Sequence, residues 1–389
     1  MIYISAVGMI NALGNNLDDI AAHLAQGYAP GMRSRSGWLQ GQAEAVLGGV
    51  DGELPAIPET FAAHRSRNNQ LLLAALAQIQ PQVDEAIEKF GHDRVAVVLG
   101  TSTSGLDEGD IYVNQTLNDR ENHSWQYPQQ ELGDPSRFLS HWLGLDGPAF
   151  TLSTACSSSA RAIISGRRLI EAGLADVAIV GGADTLSRMP VNGFHSLESL
   201  SAELCEPFAR NRHGITIGEG AALMLLTKAP QPIALLGVGE SSDAHHISAP
   251  HPEGEGAIRA IRQALADAGM APGDVGYVNL HGTATQLNDQ VESKVMHTLF
   301  GEEIPCSSTK HLTGHTLGAA GITEAAIAML ILQRDLPLPP QDFSRSPRDP
   351  ALPPCGIIDS TRPLERPVIL SNSFAFGGNN ASILLGRMP

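Results

Sequence analysis

Residues 148–184 read PAFTLSTACSSSARAIISGRRLIEAGLADVAIVGGAD. The strand-like TLSTA passes into an Ala- and Ile-rich helical pattern, which stops at AGL before the apolar run Val177–Val180. Strand, helix and strand in that order imply a βαβ unit with parallel strands. Cys156 stands at the strand-to-helix turn, where free N–H groups and the positive helix end are expected to lower a thiol pKa and favour the thiolate. The small residues Ala155, Ser157, Ser158 and Ser159 leave room for a substrate. Cys156 is therefore read as a nucleophile, and Cys205, Cys306 and Cys355 as buried small hydrophobes.

Working outward, the alternation repeats. Val95–Leu99 precedes GTSTSG, and Tyr277–Leu280 precedes HGTAT. Ala257–Ala268 carries its apolar residues on one helical face. A division falls near Pro230–Pro232, giving a first half over 1–231 with Cys156 and a second over 232–389 with His281, Lys310 and His315. Residues 101–150 read as an irregular insertion over one face of the first half.

The whole chain sets bounds on function. Over 389 residues the formal charge is 25 − 41 = −16, which excludes a general nucleic-acid binder. Apolar residues at 42% and charged residues at 17% fit a compact α/β protein rather than a disordered one. No uninterrupted apolar run reaches the roughly 18 residues of a membrane span. The opening MIYISAVGMI lacks the basic start of a signal peptide, and the four cysteines form no CxxC pair, so the cytoplasm is the expected location. HExxH is absent, and no metal site is expected; nor is there a GxGxxG after a strand or a GxxxxGK[ST] for a nucleotide cofactor.

His281 ends a strand, and SSTKHLTGHTLGAAG (307–321) places Lys310 and His315 among small residues ahead of another helix. Strand ends are where α/β folds present reacting groups. Two histidines can clamp one oxygen through ring N–H groups. Only four lysines occur, so Lys310 near His315 is read as functional, with Glu324 on the next helix as its partner. Of the remaining twelve histidines, nine are read as surface or core residues, and His245, His246 and His251 as members of a loop that could line a cavity, with a structural role the stronger reading. In NSFAFGGNNA (372–381), Gly377 and Gly378 permit a tight turn between strands, Phe374 and Phe376 form apolar walls, and the N–H groups near Phe376 suit an oxyanion hole.

TACSSSA, HGTAT, KHLTGHTLGAAG and NSFAFGGNNA, in this order, resemble the β-ketoacyl-acyl-carrier-protein synthases, the elongating condensing enzymes. ISAVGMINALGNN (4–16) and PFARNRHGITIGEGAALMLL (207–226) extend the likeness almost end to end. The resemblance implies a thiolase fold: two similar βαβαβαββ halves in a five-layered αβαβα arrangement, forming a homodimer or a heterodimer with a related ketosynthase or chain-length factor. It implies an acyltransferase that joins a Cys156-bound acyl group to malonyl-acyl carrier protein, releasing CO2, in fatty-acid, polyketide or aryl-polyene elongation, with no cofactor. It further implies that His281 and His315 contact the malonyl carbonyl, supported by Lys310 and Glu324. Phe376 and Cys156 would supply the oxyanion hole, Phe376 acting also as a gate, while Thr283, Thr285, Phe374, Gly377 and Gly378 would contact substrate. A thiolase reading lacks its second cysteine in FAFGGNN, and a chain-length-factor reading must accommodate Cys156. Carrier proteins are typically acidic, so an acidic chain needs local basic residues to receive one; Arg65 and Arg67 stand where relatives place them.

Overall fold

The computed structural model describes residues 1–41, 44–118, 120 and 124–388. Its strands are β1 (Ile2–Asn11), β2 (Met32–Arg35), β3 (Ala45–Gly48), β4 (Val95–Gly100), β5 (Ala149–Leu152) and β6 (Val177–Asp184). They continue with β7 (Gly220–Thr227), β8 (Ile233–Ser242), β9 (Tyr277–Asn279), β10 (Cys306–Ser307), β11 (Val368–Phe374) and β12 (Asn379–Arg387). β2 and β3 make a separate hairpin. The other ten run in the order β10-β9-β11-β12-β8-β1-β7-β6-β4-β5.

That order contains one pattern twice. In β1-β7-β6-β4-β5 the first two pairings are antiparallel and the last two parallel. The same holds, pair for pair, in β8-β12-β11-β9-β10. Within the ten-stranded sheet the two sets are joined where Ile2–Ile4 pairs with Ile233–Leu235. This is the thiolase fold.

Helix Ser158–Glu171 follows β5, and helix Ala320–Arg334 follows β10 by the same logic. The two pack on each other in the middle layer, with sheet strands on either side. Their crossing needs small residues: a Cβ on Gly321 would lie 2.7 Å from the Cβ of Ala160. Helix Arg67–Ala77 covers the outer face of the first half, and Glu255–Ala268 that of the second. Three main apolar clusters fill the gaps, the largest around the middle helices. Leu317–Arg334 is long and apolar enough to cross a membrane, but 89% of it is buried within the protein, so its apolarity serves the core.

Residues 101–150 differ from the irregular insertion expected. They hold helices Leu106–Leu117 and Asp134–Trp142 and strand β5, with 119 and 121–123 outside the described residues. The first helix escaped detection because its large apolar residues, Ile111, Val113 and Leu117, are exposed and make no inward stripe.

Candidate active site

The nucleophile turn is held by local strain and small-residue hydrogen bonds. Ala155 has φ +52°, rare for a residue with a Cβ, and this turns the chain sharply from β5 toward the helix. Ser158 Oγ donates to the Ala155 carbonyl and accepts from the Thr154 N–H. Cys156 is thereby fixed just ahead of the helix N-terminus.

β9 delivers His281, whose N–H donates to Glu292 Oε1 at 2.7 Å, while the Gly282 N–H donates to Oε2 of the same carboxylate. After β10 comes the short helix Lys310–Thr313. Gly314, at φ +69°, lets the chain cross Gly218, where a Cβ would come within 2.7 Å of backbone. The His315 N–H then donates to the Thr216 carbonyl.

His315 Nε2 lies 3.1 Å from Cys156 Sγ, and the His281 ring stands edge-on to His315 at 5.5 Å between centroids. Lys310 Nζ sits 3.5 Å from His281 Nδ1, donates to the His281 carbonyl and pairs with Glu324 Oε1. All five groups are buried. Burial, then the Lys310 charge, holds both histidines well below the usual imidazole range, so both rings are neutral. An ammonium facing Nδ1 demands a lone pair there, which leaves the proton of His281 on Nε2.

Cys156 departs from the lowered pKa expected at a helix N-terminus. Burial pushes its thiol up to about 11, against the opposing pull of Lys310 and of the Phe376 and Cys156 N–H groups. Removal from water outweighs the local positive potential. Those two N–H groups nevertheless converge on the sulfur, as an oxyanion hole requires.

Two cavities meet at Cys156, Phe194 and Phe376. The larger, about 300 Å³, is lined by Thr283, Thr285, His281, His315 and Phe374 among others. The smaller, about 140 Å³, is walled by Ser102, Thr103, Leu106, Met189, Pro190 and Leu317 and is almost wholly apolar. Phe194 and Phe376 pack with their rings tilted by 43° and their centroids 5.6 Å apart. Gly377 and Gly378 do not line either cavity; they shape the β11–β12 turn, and Gly377 N–H donates to the Ile247 carbonyl. Chain order gives no sign of a metal site, yet folding brings Cys156, His281 and His315 donor atoms within 4.8 Å of one another, a spacing that could hold an ion. The Lys310 ammonium beside them favours a neutral or anionic guest instead.

Arg65 pairs on the surface with Glu59. Arg67 points inward, its guanidinium forked onto buried Glu219 at 2.6 and 2.9 Å. Its partner lies 152 residues away, so no local pattern could disclose the pairing.

Residues 2–231 match the family model for the β-ketoacyl synthase N-terminal domain, and 233–343 that for the C-terminal domain. The chain belongs to the β-ketoacyl synthase family. This synthase is 31% identical to 3-oxoacyl-[acyl-carrier-protein] synthase 2 of Staphylococcus aureus over 84% of its length and 86% of that protein's. Against the enzyme of the same name from Coxiella burnetii it is 29% identical, over 100% and 98%. Among solved structures, the ketosynthase ApeO in complex with its chain length factor ApeC from Xenorhabdus doucetiae is similar at 66% identity and a TM-score of 0.99, covering 100% of this chain and 98% of that one. The ishigamide ketosynthase/chain length factor is similar at 25% and 0.88, covering 100% and 99%.

Sequence reading of this synthase missed Glu292, Asp184 and Phe194. Glu292 and Asp289 lie three apart on the buried face of helix Gln286–Phe300, and acids on an apolar face are a signal that periodicity alone overlooks.

Proposed function

We propose that this synthase carries out decarboxylative Claisen condensation between a Cys156-bound acyl group and malonyl-acyl carrier protein, giving 3-oxoacyl-acyl carrier protein and CO2. The observation that carries the reading is the meeting of Cys156, two neutral histidines and two inward N–H groups at the junction of a polar and an apolar cavity.

Cys156 Sγ attacks the acyl thioester carbonyl, whose oxyanion accepts from the Cys156 and Phe376 N–H groups. The carrier thiol leaves with the cysteine proton, and the acyl chain lies in the apolar cavity. Malonyl thioester then enters the larger cavity past Thr283 and Thr285. Its carbonyl oxygen accepts N–H bonds from Nε2 of His281 and His315, the C–CO2 bond breaks, and the electron pair forms an enolate. The enolate carbon attacks the acyl carbonyl and expels the Cys156 thiolate, which takes a proton from solvent water. Lys310 and Glu324 keep the histidine tautomer in place throughout.

The likeness to ApeO, solved with a chain length factor, favours a heterodimer of this kind in polyketide or aryl-polyene elongation over a role in membrane fatty acids. Arg65, half-buried, with its guanidinium on the Ile57 carbonyl and exposed Glu59, is the docking arginine of this reading; Arg67 serves the fold. The cytoplasm is the proposed location.

The test is an acyl adduct. After incubation with acyl-carrier protein, peptide mass spectrometry is expected to find the acyl group on Cys156, with none on the Cys156→Ala variant. Acylation elsewhere, with Cys156 unmodified, would overturn the assignment.

A further inference from the structure

Asp184 ends β6, is fully buried, and has no ion-pair partner among the described residues. Its carboxylate instead gathers donors from two segments. Oδ1 accepts from Thr101 Oγ1 at 2.6 Å, Ser102 N–H at 2.8 Å, and Thr103 N–H and Oγ1 at 2.8 and 2.7 Å. Oδ2 accepts from Gly318 N–H at 2.6 Å and Ser102 N–H at 3.0 Å. Ser102, Thr103 and Leu317 are all walls of the apolar cavity beside Cys156. Leu317 holds φ +50°, a strained value that persists only where neighbours enforce it. A Cβ on Gly318 would come within 2.8 Å of both Oδ2 and the Ser102 nitrogen, so these segments touch across the carboxylate. His315 lies only two residues before Leu317.

We propose that Asp184 is a positioning residue that clamps the Thr101–Thr103 segment to the Leu317–Ala319 turn, and so sets which acyl chains the cavity beside Cys156 accepts. The acyl part rests on the condensing reading above. The clamp has an electrostatic side as well. His315 and His281, both neutral, lie beside Cys156; of the charged groups near it, Lys310 favours the thiolate and Asp184 opposes it.

Every group that reaches Asp184 is a donor, so Asp184→Asn must turn an NH2 toward an N–H. The side chain keeps its size while the clamp opens and a negative charge disappears. Two readouts separate this from a general loss of stability. The pH midpoint of Cys156 alkylation by iodoacetamide is expected to move down by about one unit, because a like charge no longer disfavours the thiolate. Discrimination between long and short acyl N-acetylcysteamine thioesters in self-acylation is expected to change by about tenfold.

Thr101→Val, which keeps the charge and removes one donor from a residue outside the cavity wall, is expected to change discrimination and leave the alkylation profile in place. Should Asp184→Asn not fold, this variant decides the clamp: unchanged discrimination overturns it. A folded Asp184→Asn protein with wild-type alkylation profile and wild-type discrimination overturns it equally. Alkylation requires no acyl substrate. A chain that alkylates at Cys156 yet accepts no acyl group defeats the condensing reading, while a shifted or unshifted alkylation profile still judges the electrostatic role of Asp184.

Discussion

Lys310 is the residue on which the electrostatics of the site turn. It is buried, faces His281 Nδ1 and pairs with Glu324, whose own pKa burial raises against the pull of that lysine. Lys310→Met would leave the Glu324 carboxylate in a dry site without its cation. A loss of about 3–5 kcal/mol in unfolding free energy is expected, measured by denaturant titration, and Glu324→Gln in the same chain is expected to restore part of it. The variant also frees the His281 tautomer, so CO2 release from malonyl-carrier protein is expected to fall at least about 10²-fold. Lys310 was legible in the sequence because lysine is rare here and stands near His315. Asp184 was not: an aspartate after GGA looks like any polar strand end until the fold brings Gly318 to it from 134 residues away.

Among elements, the helix Ser158–Glu171 matters most, since Cys156 is aimed by its start. It approaches β4 so closely that a Cβ on Gly100 would stand 2.3 Å from the Ser159 nitrogen. Gly100→Ala must therefore push the helix away or distort β4, and overpacking of this kind costs about 1–3 kcal/mol. A lower Tm is expected, together with slower acylation of Cys156, because the displaced helix carries the nucleophile with it. The βαβ order around this helix could be read directly from alternating apolar runs and small-residue ends. Helix Leu106–Leu117 could not, because its apolar residues face outward and break the amphipathic rule.

Across the whole molecule, β5 ends the ten-strand order with one side unpaired by any described strand. Phe150 on that strand is exposed. An open sheet edge carrying an exposed aromatic residue is a site for strand addition by a partner. For the heterodimer proposed above, Phe150→Asp is expected to weaken association, read in native mass spectrometry as a shift from dimer to monomer mass when the chain is mixed with a chain-length factor. An unchanged dimer fraction would place the interface elsewhere. The formal charge of −16 was informative about nucleic acid but silent about this edge, which exists only once β4 has chosen its neighbours.

The duplicated half-sheet has a kinetic consequence. Cys156 belongs to the first half, whereas His281, Lys310 and His315 belong to the second, and the 3.1 Å contact between sulfur and His315 forms only when the middle helices are docked. Apart from the β1–β7 ladder, strands and helices within each half can form from nearer contacts, while docking waits on pairings such as Ile2 with Leu235. During refolding, far-ultraviolet signal should therefore return before condensing activity. The lag between the two would time the closure of one half upon the other, making the active site its own clock for assembly.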